Sequence, residues 1–368
     1  MRLTLLECVP FLSIIIKECL SVEILEGCDY NDLQRMYYCN DITHVFPNQF
    51  YGNYHLKCTD CNISRFTEKT FPYNNRLDSF NVSYSNIQTI YRRAFSKLTT
   101  IQYIYLDNNA INKIEADAFS GVKQLFELHL EHNNLKQLTP KFLNNAATNS
   151  LDLSYNQLKE IAEESFEGVG GVLVLDLSHN KIEKLHRRSF DSLNSLEILD
   201  LQNNQLCQLP LGVLSMLKEL KSLNLSSNKL TSLSMGTLSG LKSLNTLNLE
   251  NNSLSHFIGD FLLPLTSLEN LDISLNGIYH FDGNAITENS STLKSLRIDY
   301  NIFQCHNLRD LVRYFRKVNI DIISLSESYD VQNIFGIACT ETDIRMTIPY
   351  KKFFALAKEE TEEIKEIC

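Results

Sequence analysis

After its first 21 residues, the 368-residue chain lacks any apolar stretch of the roughly 20 residues that a membrane-spanning helix needs. It also lacks a basic excess, since 34 Lys and Arg stand against 44 Asp and Glu and give a net charge of −10. That charge disfavours nucleic acids and anionic membrane surfaces as partners. The C-terminus is charged, which is not the pattern of a lipid-anchor signal. We therefore expect no nucleic-acid partner and no transmembrane segment.

The sequence also lacks a recognisable grouping of nucleophile, base and acid, and a set of metal ligands at a known spacing. The segment His129-Leu130-Glu131-His132 differs in spacing from the H-E-x-x-H motif of helical zinc sites. We interpret both of its histidines as surface residues. The chain is predicted to be non-enzymatic, with no cofactor and no bound metal.

The N-terminus has the composition of a secretory signal. Arg2 supplies a positive charge, and residues 3–16 form an apolar run that is interrupted by Glu7. Cys19 and Ser21 occupy the −3 and −1 positions of a cut before Val22. Residues 1–21 are thus predicted to be a signal peptide that directs secretion to the extracellular space. An uncleaved membrane anchor is the alternative.

A leucine frame recurs about every 24 residues, and one unit reads Leu244-x-x-Leu247-x-Leu249-x-x-Asn252-x-Leu254. The polar landmark of the frame falls at Cys61, Ser85, Asn109, Asn133, Asn156, Asn180, Asn204, Asn228, Asn252, Asn276 and Asn301. This period and pattern are those of leucine-rich repeats. The fold class predicted is an α/β solenoid, a curved horseshoe with one long parallel sheet on its concave face.

The residue types in the frame have physical roles. The L-x-x-L-x-L stretch alternates between core and surface, as a short strand does. The landmark Asn has both donors and acceptors, so it can pair backbone groups that would otherwise be buried without partners. A second inward column, ten residues after each landmark, is predicted to fill the convex side: Phe71, Phe95, Phe119, Leu143, Phe166, Phe190, Leu214, Leu238, Leu262 and Ile286.

The repeats divide the chain into an N-terminal cysteine cap (22–52), about eleven repeats (53–303), a C-terminal cap (304–340) and a short helical tail (341–368). Open solenoid ends need closing, and disulfides close them in an oxidising compartment. We expect the pairs Cys28–Cys39 and Cys305–Cys339. Cys58 and Cys61 form either a third disulfide or packed thiols, and a zinc site built from the four N-terminal cysteines is a further alternative.

With repeats and caps in place, residues 28–339 resemble the extracellular leucine-rich repeat proteins of animals. The C-terminal cap, from Asn301-Ile302-Phe303-Gln304-Cys305 to Gly336-Ile337-Ala338-Cys339, is similar to the two-cysteine cap of insect secreted members. Vertebrate caps usually carry Trp and four cysteines, and this chain has no Trp. The resemblance extends to Toll-receptor ectodomains and insect leucine-rich immune proteins. It implies a concave sheet that binds protein, glycan or lipid-bearing ligands.

Outward positions of the frame place aromatic residues on the N-terminal half of the concave face. The predicted patch contains Tyr84, Tyr103, Tyr105, His129, His132, Tyr155 and His179, beside an acidic row of Asp152, Asp176 and Asp200. Exposed aromatics are frequent in binding surfaces, although strands also favour Tyr for structural reasons. Stacked carboxylates repel one another, so a basic partner or Ca²⁺ would stabilise the row.

Five N-x-S sequons agree with secretion, because each is a possible glycan acceptor. They lie at Asn62, Asn81, Asn224, Asn251 and Asn289. Asn224 falls at an outward strand position, so a glycan there would cover the C-terminal half of the concave face.

Cap pairing leaves Cys207 and Cys368 without partners. The tail has an apolar heptad seam at Tyr350, Phe354, Ala357, Thr361, Ile364 and Cys368. This seam indicates a helix packed on the cap or a frayed tail, or else a homo- or heterodimer linked by a Cys368 disulfide.

The function predicted is secreted recognition of an extracellular protein or glycan ligand, in innate immunity by resemblance. The alternatives are a matrix or adhesive protein and the ectodomain of a truncated receptor.

Overall fold

The computed structural model describes residues 28–46, 50, 54–59, 61–144, 146–283, 285–286, 291–324 and 332–341. The predicted signal peptide, the sequon at Asn289, and the tail after residue 341 with Cys368 lie outside the described residues. Within the described ranges, every helix is too short or too polar to cross a membrane.

The strands are short and regularly spaced along the chain. In chain order they are β1 (Cys28–Asn31), β2 (Met36–Asn40), β3 (Tyr54–Thr59), β4 (Arg65–Phe66), β5 (Leu77–Asn81), β6 (Thr89–Ile90), β7 (Tyr103–Tyr105), β8 (Lys113–Ile114), β9 (Gln124–His129), β10 (Ala147–Asp152), β11 (Glu160–Ile161), β12 (Val174–Asp176), β13 (Lys184–Leu185), β14 (Ile198–Asp200), β15 (Ser222–Asn224), β16 (Thr246–Asn248), β17 (His256–Phe257), β18 (Asn270–Asp272), β19 (His280–Phe281), β20 (Ser295–Arg297), β21 (Phe303–Gln304), β22 (Asp321–Ile322), β23 (Asn333–Ile334) and β24 (Ile337–Thr340). A 3₁₀ turn (Gly259–Leu262) and the helix α1 (Cys305–Lys317) are also present among the described residues.

Fourteen of these strands form one sheet in the order β1-β2-β3-β5-β7-β9-β10-β12-β14-β15-β16-β18-β20-β22. The first pair is antiparallel and the later pairs are parallel. The register matches the 24-residue period, since Leu175 lies between Leu151 and Leu199 of its neighbours. The predicted solenoid of about eleven turns, with its long parallel sheet on the concave face, is confirmed.

The landmark asparagines form a ladder inside the solenoid. Asn180 Nδ2 donates to the carbonyl oxygens of Leu153, Leu177 and Ser178 at 3.0, 3.1 and 3.2 Å. Its Oδ1 accepts the Leu158 N–H at 3.0 Å. The same pattern recurs at Asn156, Asn204, Asn228, Asn252 and Asn276. Each amide thus joins its own turn to the preceding turn, which is why an apolar residue cannot replace it.

The convex side is filled by the predicted inward column, whose ten members are all buried. Phe95 stacks on Phe119 with ring centroids 4.7 Å apart. Short strand pairs and turns, rather than long helices, connect the strands on this side. Adjacent turns approach closely at Gly240, where an added Cβ would lie 2.5 Å from the Ser215 carbonyl oxygen.

Disulfides lie in both caps. Cys28 is bonded to Cys39 and Cys305 to Cys339, as predicted. Cys58 is also bonded to Cys61, so none of these four N-terminal sulfurs is a free thiolate for zinc. At the other end, α1 buries Leu308, Val312 and Phe315 against the last repeats and so covers the core.

Candidate recognition surface

Each strand of the main sheet points its leucines into the core and its other side chains onto the concave face, because side chains alternate along a strand. In β12, Leu175 is buried, whereas Val174 and Asp176 on either side are partly exposed. The parallel register brings equivalent residues of successive repeats into columns across the strands. Two of these columns form the candidate surface.

The first column immediately precedes the landmark residue, and its backbone is left-handed in every described repeat from Tyr84 onward. Its members have φ between 50° and 57°: Tyr84, Asn108, His132, Tyr155, His179, Asn203, Ser227, Asn251, Leu275 and Tyr300. This conformation is disfavoured for most L-residues, and it is best tolerated by Gly and, among the others, by Asn, Asp and His. The Tyr members therefore occupy positions for which asparagine is the better conformational fit.

Three members of this column form the ring stack, defined as His132, Tyr155 and His179. The His132 and Tyr155 centroids are 4.2 Å apart with planes inclined by 16°, and the Tyr155 and His179 centroids are 4.1 Å apart at 7°. The next member of the column, Asn203, is hydrogen-bonded to the stack, with its Nδ2 3.1 Å from His179 Nε2. Tyr155 is 44% exposed, so the edge of the stack is available to a ligand.

His129 lies between two carboxylates of its own strand and its following turn. Its Nδ1 is 3.2 Å from Glu131 Oε1, and its Nε2 is 3.2 Å from Glu127 Oε2. The hydrogen bond to Glu131 leads the interactions that raise the pKa of His129 to about 9, against the opposing effect of burial. The imidazole is therefore protonated at neutral pH. Tyr105 stacks on it at 4.8 Å.

The second column contains the carboxylate row, defined as Asp152, Asp176 and Asp200. One oxygen of each, Oδ1, accepts the backbone N–H two residues later, at 2.9, 2.8 and 2.8 Å respectively. Burial raises the pKa of Asp152 and Asp200, and neighbouring carboxylates, Asp176 among them, add to this effect. In each member of the row, Oδ1 therefore holds the turn after the strand, and Oδ2 contributes negative potential to the surface.

One group of side chains approaches metal-site geometry. His129, Glu131 and Asp152 each bring a potential ligand atom within 4.8 Å of the others. Both nitrogens of His129 already bond carboxylates, and an imidazolium has no lone pair to give to a metal. We therefore interpret the group as an internal charge cluster, in which the protonated His129 offsets the neighbouring carboxylates.

The structure separates the predicted patch into parts. His132 is exposed as expected, whereas His129 is partly buried. Tyr84 is 78% exposed and lies outside the ring stack. Tyr103 packs on Phe126, with centroids 5.7 Å apart. Sequence reasoning missed the residues Glu127 and Glu131, although both lie two positions from His129 and alternation places them near it.

The predicted glycan acceptors fall into two environments. Asn81 and Asn224 are partly buried on the concave face, whereas Asn62 and Asn251 are exposed. Asn224 Nδ2 donates to Gln202 Oε1 at 2.9 Å and to Asp200 Oδ2 at 3.1 Å. The expected free thiol at Cys207 is exposed.

Comparison with protein families assigns the repeats. The leucine rich repeat family model matches residues 59–111, 75–135, 101–144, 147–206 and 218–278, which together exceed half of the chain. The chain belongs to the leucine-rich repeat family.

Individual relatives are similar over shorter stretches. Lumican of Homo sapiens is 36% identical over 90 residues, which are 23% of this chain and 25% of lumican. Osteomodulin of Mus musculus is 29% identical over 104 residues, which are 27% of this chain and 23% of osteomodulin. The chain thus spans about a quarter of the length of these curated relatives.

A solved structure is similar over most of the chain. The leucine-rich repeat domain of APL1B superimposes with a TM-score of 0.59 and 22% sequence identity, covering 78% of this chain and 79% of that one. At this identity the likeness shows the fold alone.

Proposed function

We propose that this chain is a secreted, non-enzymatic recognition protein of innate immunity, which binds an extracellular protein or glycan through the N-terminal half of its concave face. The ring stack is the observation that carries the proposal. A bulky residue in a left-handed conformation costs about 1–2 kcal/mol. Stacking contributes about 0.5–1.5 kcal/mol for each ring pair. The Tyr155 ring thus adds little net stability, which favours a role in binding.

The composition of the surface supports the same proposal. Aromatic rings supply contact area at low entropic cost and are frequent at the energetic centres of interfaces. The ring stack lies beside the carboxylate row, so apolar area and charge are available together. Since the strands beneath are fixed by the asparagine ladder, the surface is ordered before a partner arrives.

A substitution set taken from the column itself separates binding from folding. His132→Asn, Tyr155→Asn and His179→Asn together remove the rings and insert the residue that Asn203 and Asn251 provide at the same backbone geometry. A control variant carries Ser227→Asn and Leu275→Asn in the C-terminal half of this column.

Immobilised wild-type and variant proteins are exposed to extracellular fluid of the source organism, and retained molecules are quantified by mass spectrometry. We expect the ring-free variant to retain about tenfold less of the specific partners, or less still, and the control to match the wild type. Equal retention by all three proteins would refute the proposal.

A structural role in the extracellular matrix is the second candidate, and the similarity to lumican and osteomodulin favours it. Infection separates the two candidates. An immune protein is expected to rise in abundance after microbial challenge, whereas a matrix protein is expected to stay constant and to be extracted with the insoluble tissue fraction.

A further inference from the structure

On the basis of the proposed recognition by the concave face, we infer that the partner presents a basic polypeptide segment, whose Arg or Lys side chains meet the carboxylate row while the segment packs on the ring stack. The ligand is then a cationic protein segment rather than any protein or glycan. Acidic glycans are excluded, because the carboxylate row would repel them.

The three carboxylates of the row lie next to one another across the sheet. Asp152 lies opposite Asp176, and Asp176 lies opposite Asp200, in adjacent parallel strands. Such strands are about 4.8 Å apart, so the three carboxylates span roughly 10 Å. Like charges at this separation repel one another, and the partial burial of this face strengthens the repulsion.

The same column provides an internal comparison. Farther along the sheet, Asp272 lies opposite Arg297 of the next repeat, and the two form an ion pair at 3.2 Å. Within the described residues, by contrast, no ion pair involves a member of the carboxylate row. The fold therefore pairs Asp272 with an arginine, whereas none of the three members of the row has a Lys or Arg partner among the described residues.

The nearby cation of the protein is already committed. His129 bonds Glu127 and Glu131, so its charge neutralises those residues first. Burial is the main cause that raises the pKa of Asp152, and the negative charges of Glu131 and Asp176 raise it further. A cation from outside would relieve this repulsion.

The arrangement fits several separate cations better than one metal ion. Oδ1 of each Asp accepts a backbone N–H, and Oδ2 of Asp200 also accepts a hydrogen bond from Asn224 Nδ2 at 3.1 Å, which leaves further acceptor capacity at Oδ2 for an external cation. In the described ranges, the one candidate metal group contains Asp152 but neither Asp176 nor Asp200. Guanidinium and ammonium groups each satisfy one carboxylate. An extended segment of about three to five residues covers the roughly 10 Å of the row.

Other repeats carry Asn in place of Asp in this column, so an Asp→Asn substitution removes the charge and keeps the hydrogen bond from the backbone N–H. Asn224 and Asn248 occupy the same column and accept the same N–H through Oδ1, at 3.1 and 2.9 Å. Asp152→Asn, Asp176→Asn and Asp200→Asn therefore preserve the turns. The first two create N-x-S sequons, so all proteins are made in a bacterial periplasm, where this glycosylation does not occur.

Binding of a fluorescent nona-arginine peptide to the full chain is measured by anisotropy at about 50 and about 300 mM salt, with nona-glutamate as the negative probe. The matched control carries Glu163→Gln, Glu164→Gln and Glu183→Gln, three exposed acids outside the main sheet. We expect the carboxylate-row variant to bind about tenfold more weakly or worse, and the control to stay within about twofold of wild type. Equal weakening in both variants, or in neither, would overturn the inference.

Two further measurements sharpen the result. Calcium at about 1 mM and constant ionic strength is expected to leave peptide binding unchanged, and competition by calcium would assign the row to a metal instead. The carboxylate-row variant is also passed through the extracellular-fluid assay. Loss of partners in the ring-free variant but not in this one would sink the basic-segment inference and leave concave-face recognition standing. If the ring-free variant and the carboxylate-row variant both retain the partners, the basic-segment inference and recognition by the concave face are both refuted.

Discussion

The Tyr155 ring lies on the His179 ring, with centroids 4.1 Å apart and planes inclined by 7°. The two residues come from successive repeats and share a left-handed backbone conformation, with φ of 50° and 53°. Their contact therefore follows from the period of the solenoid, which places equivalent positions one strand apart. His132 covers the opposite face of Tyr155. The rings contact one another through their faces, so their edges are available for contact with a partner.

The conformational cost of this column gives a stability prediction. Tyr155→Asn is expected to leave the unfolding free energy unchanged within about 1 kcal/mol, because Asn tolerates a left-handed backbone and offsets the lost stacking. Tyr155→Val is expected to lower it by about 2 kcal/mol, because a β-branched residue does not. Chemical denaturation of the two variants measures the difference. Equal stability of both would contradict the conformational argument.

The asparagine ladder predicts a larger effect in the interior. Asn180→Ala removes the acceptor of the Leu158 N–H and a donor shared by three carbonyl groups. We expect the unfolding free energy to fall by about 2–4 kcal/mol, because buried polar groups lose their partners. Gln205→Ala, on the partly exposed surface nearby, is the control and should cost less than about 1 kcal/mol in the same denaturation series.

His129 predicts a pH dependence. Its pKa is raised from the ordinary 6.5 to about 9. The protonated ring therefore stabilises the fold fully below about pH 6.5, and this contribution disappears as the pH rises through about 9. His129→Gln should lower the melting temperature more at pH 6 than at pH 10. A difference between variant and wild type that does not change with pH would contradict the assignment, and NMR titration of the ring reads its pKa directly.

The sequons are predicted to differ in occupancy. Attachment of a glycan to Asn224 replaces one amide hydrogen, so either Asp200 or Gln202 would lose its donor. Asn62 and Asn251 are exposed and have room for a glycan. Glycopeptide mass spectrometry of protein secreted by animal cells should find Asn62 and Asn251 occupied and Asn224 bare. Full occupancy of Asn224 would contradict this reading of the concave face.

The sequence predicts the solenoid well because its period is a physical requirement. Each buried leucine and each landmark Asn has a single role that spacing reveals, and the end disulfides follow from the position of Cys28, Cys39, Cys305 and Cys339. For the candidate surface, the sequence predicts which residues share a column, but it does not predict the contacts between their side chains. Ring stacking depends on the left-handed turn before the landmark, which no single residue type marks. The turn-capping role of the Asp residues likewise depends on backbone direction.

Site-specific photocrosslinking tests the central claim most directly. A photoreactive residue is placed at Val174, a partly exposed position on the concave face two residues before Asp176, or at Glu183, which is exposed outside the main sheet. Each protein is irradiated in extracellular fluid of the source organism. The account predicts a covalent adduct with a basic protein from position 174, its loss when the ring stack is replaced by asparagine, and none from position 183. Adducts from position 183 alone, or from both positions equally, would contradict recognition by the concave face.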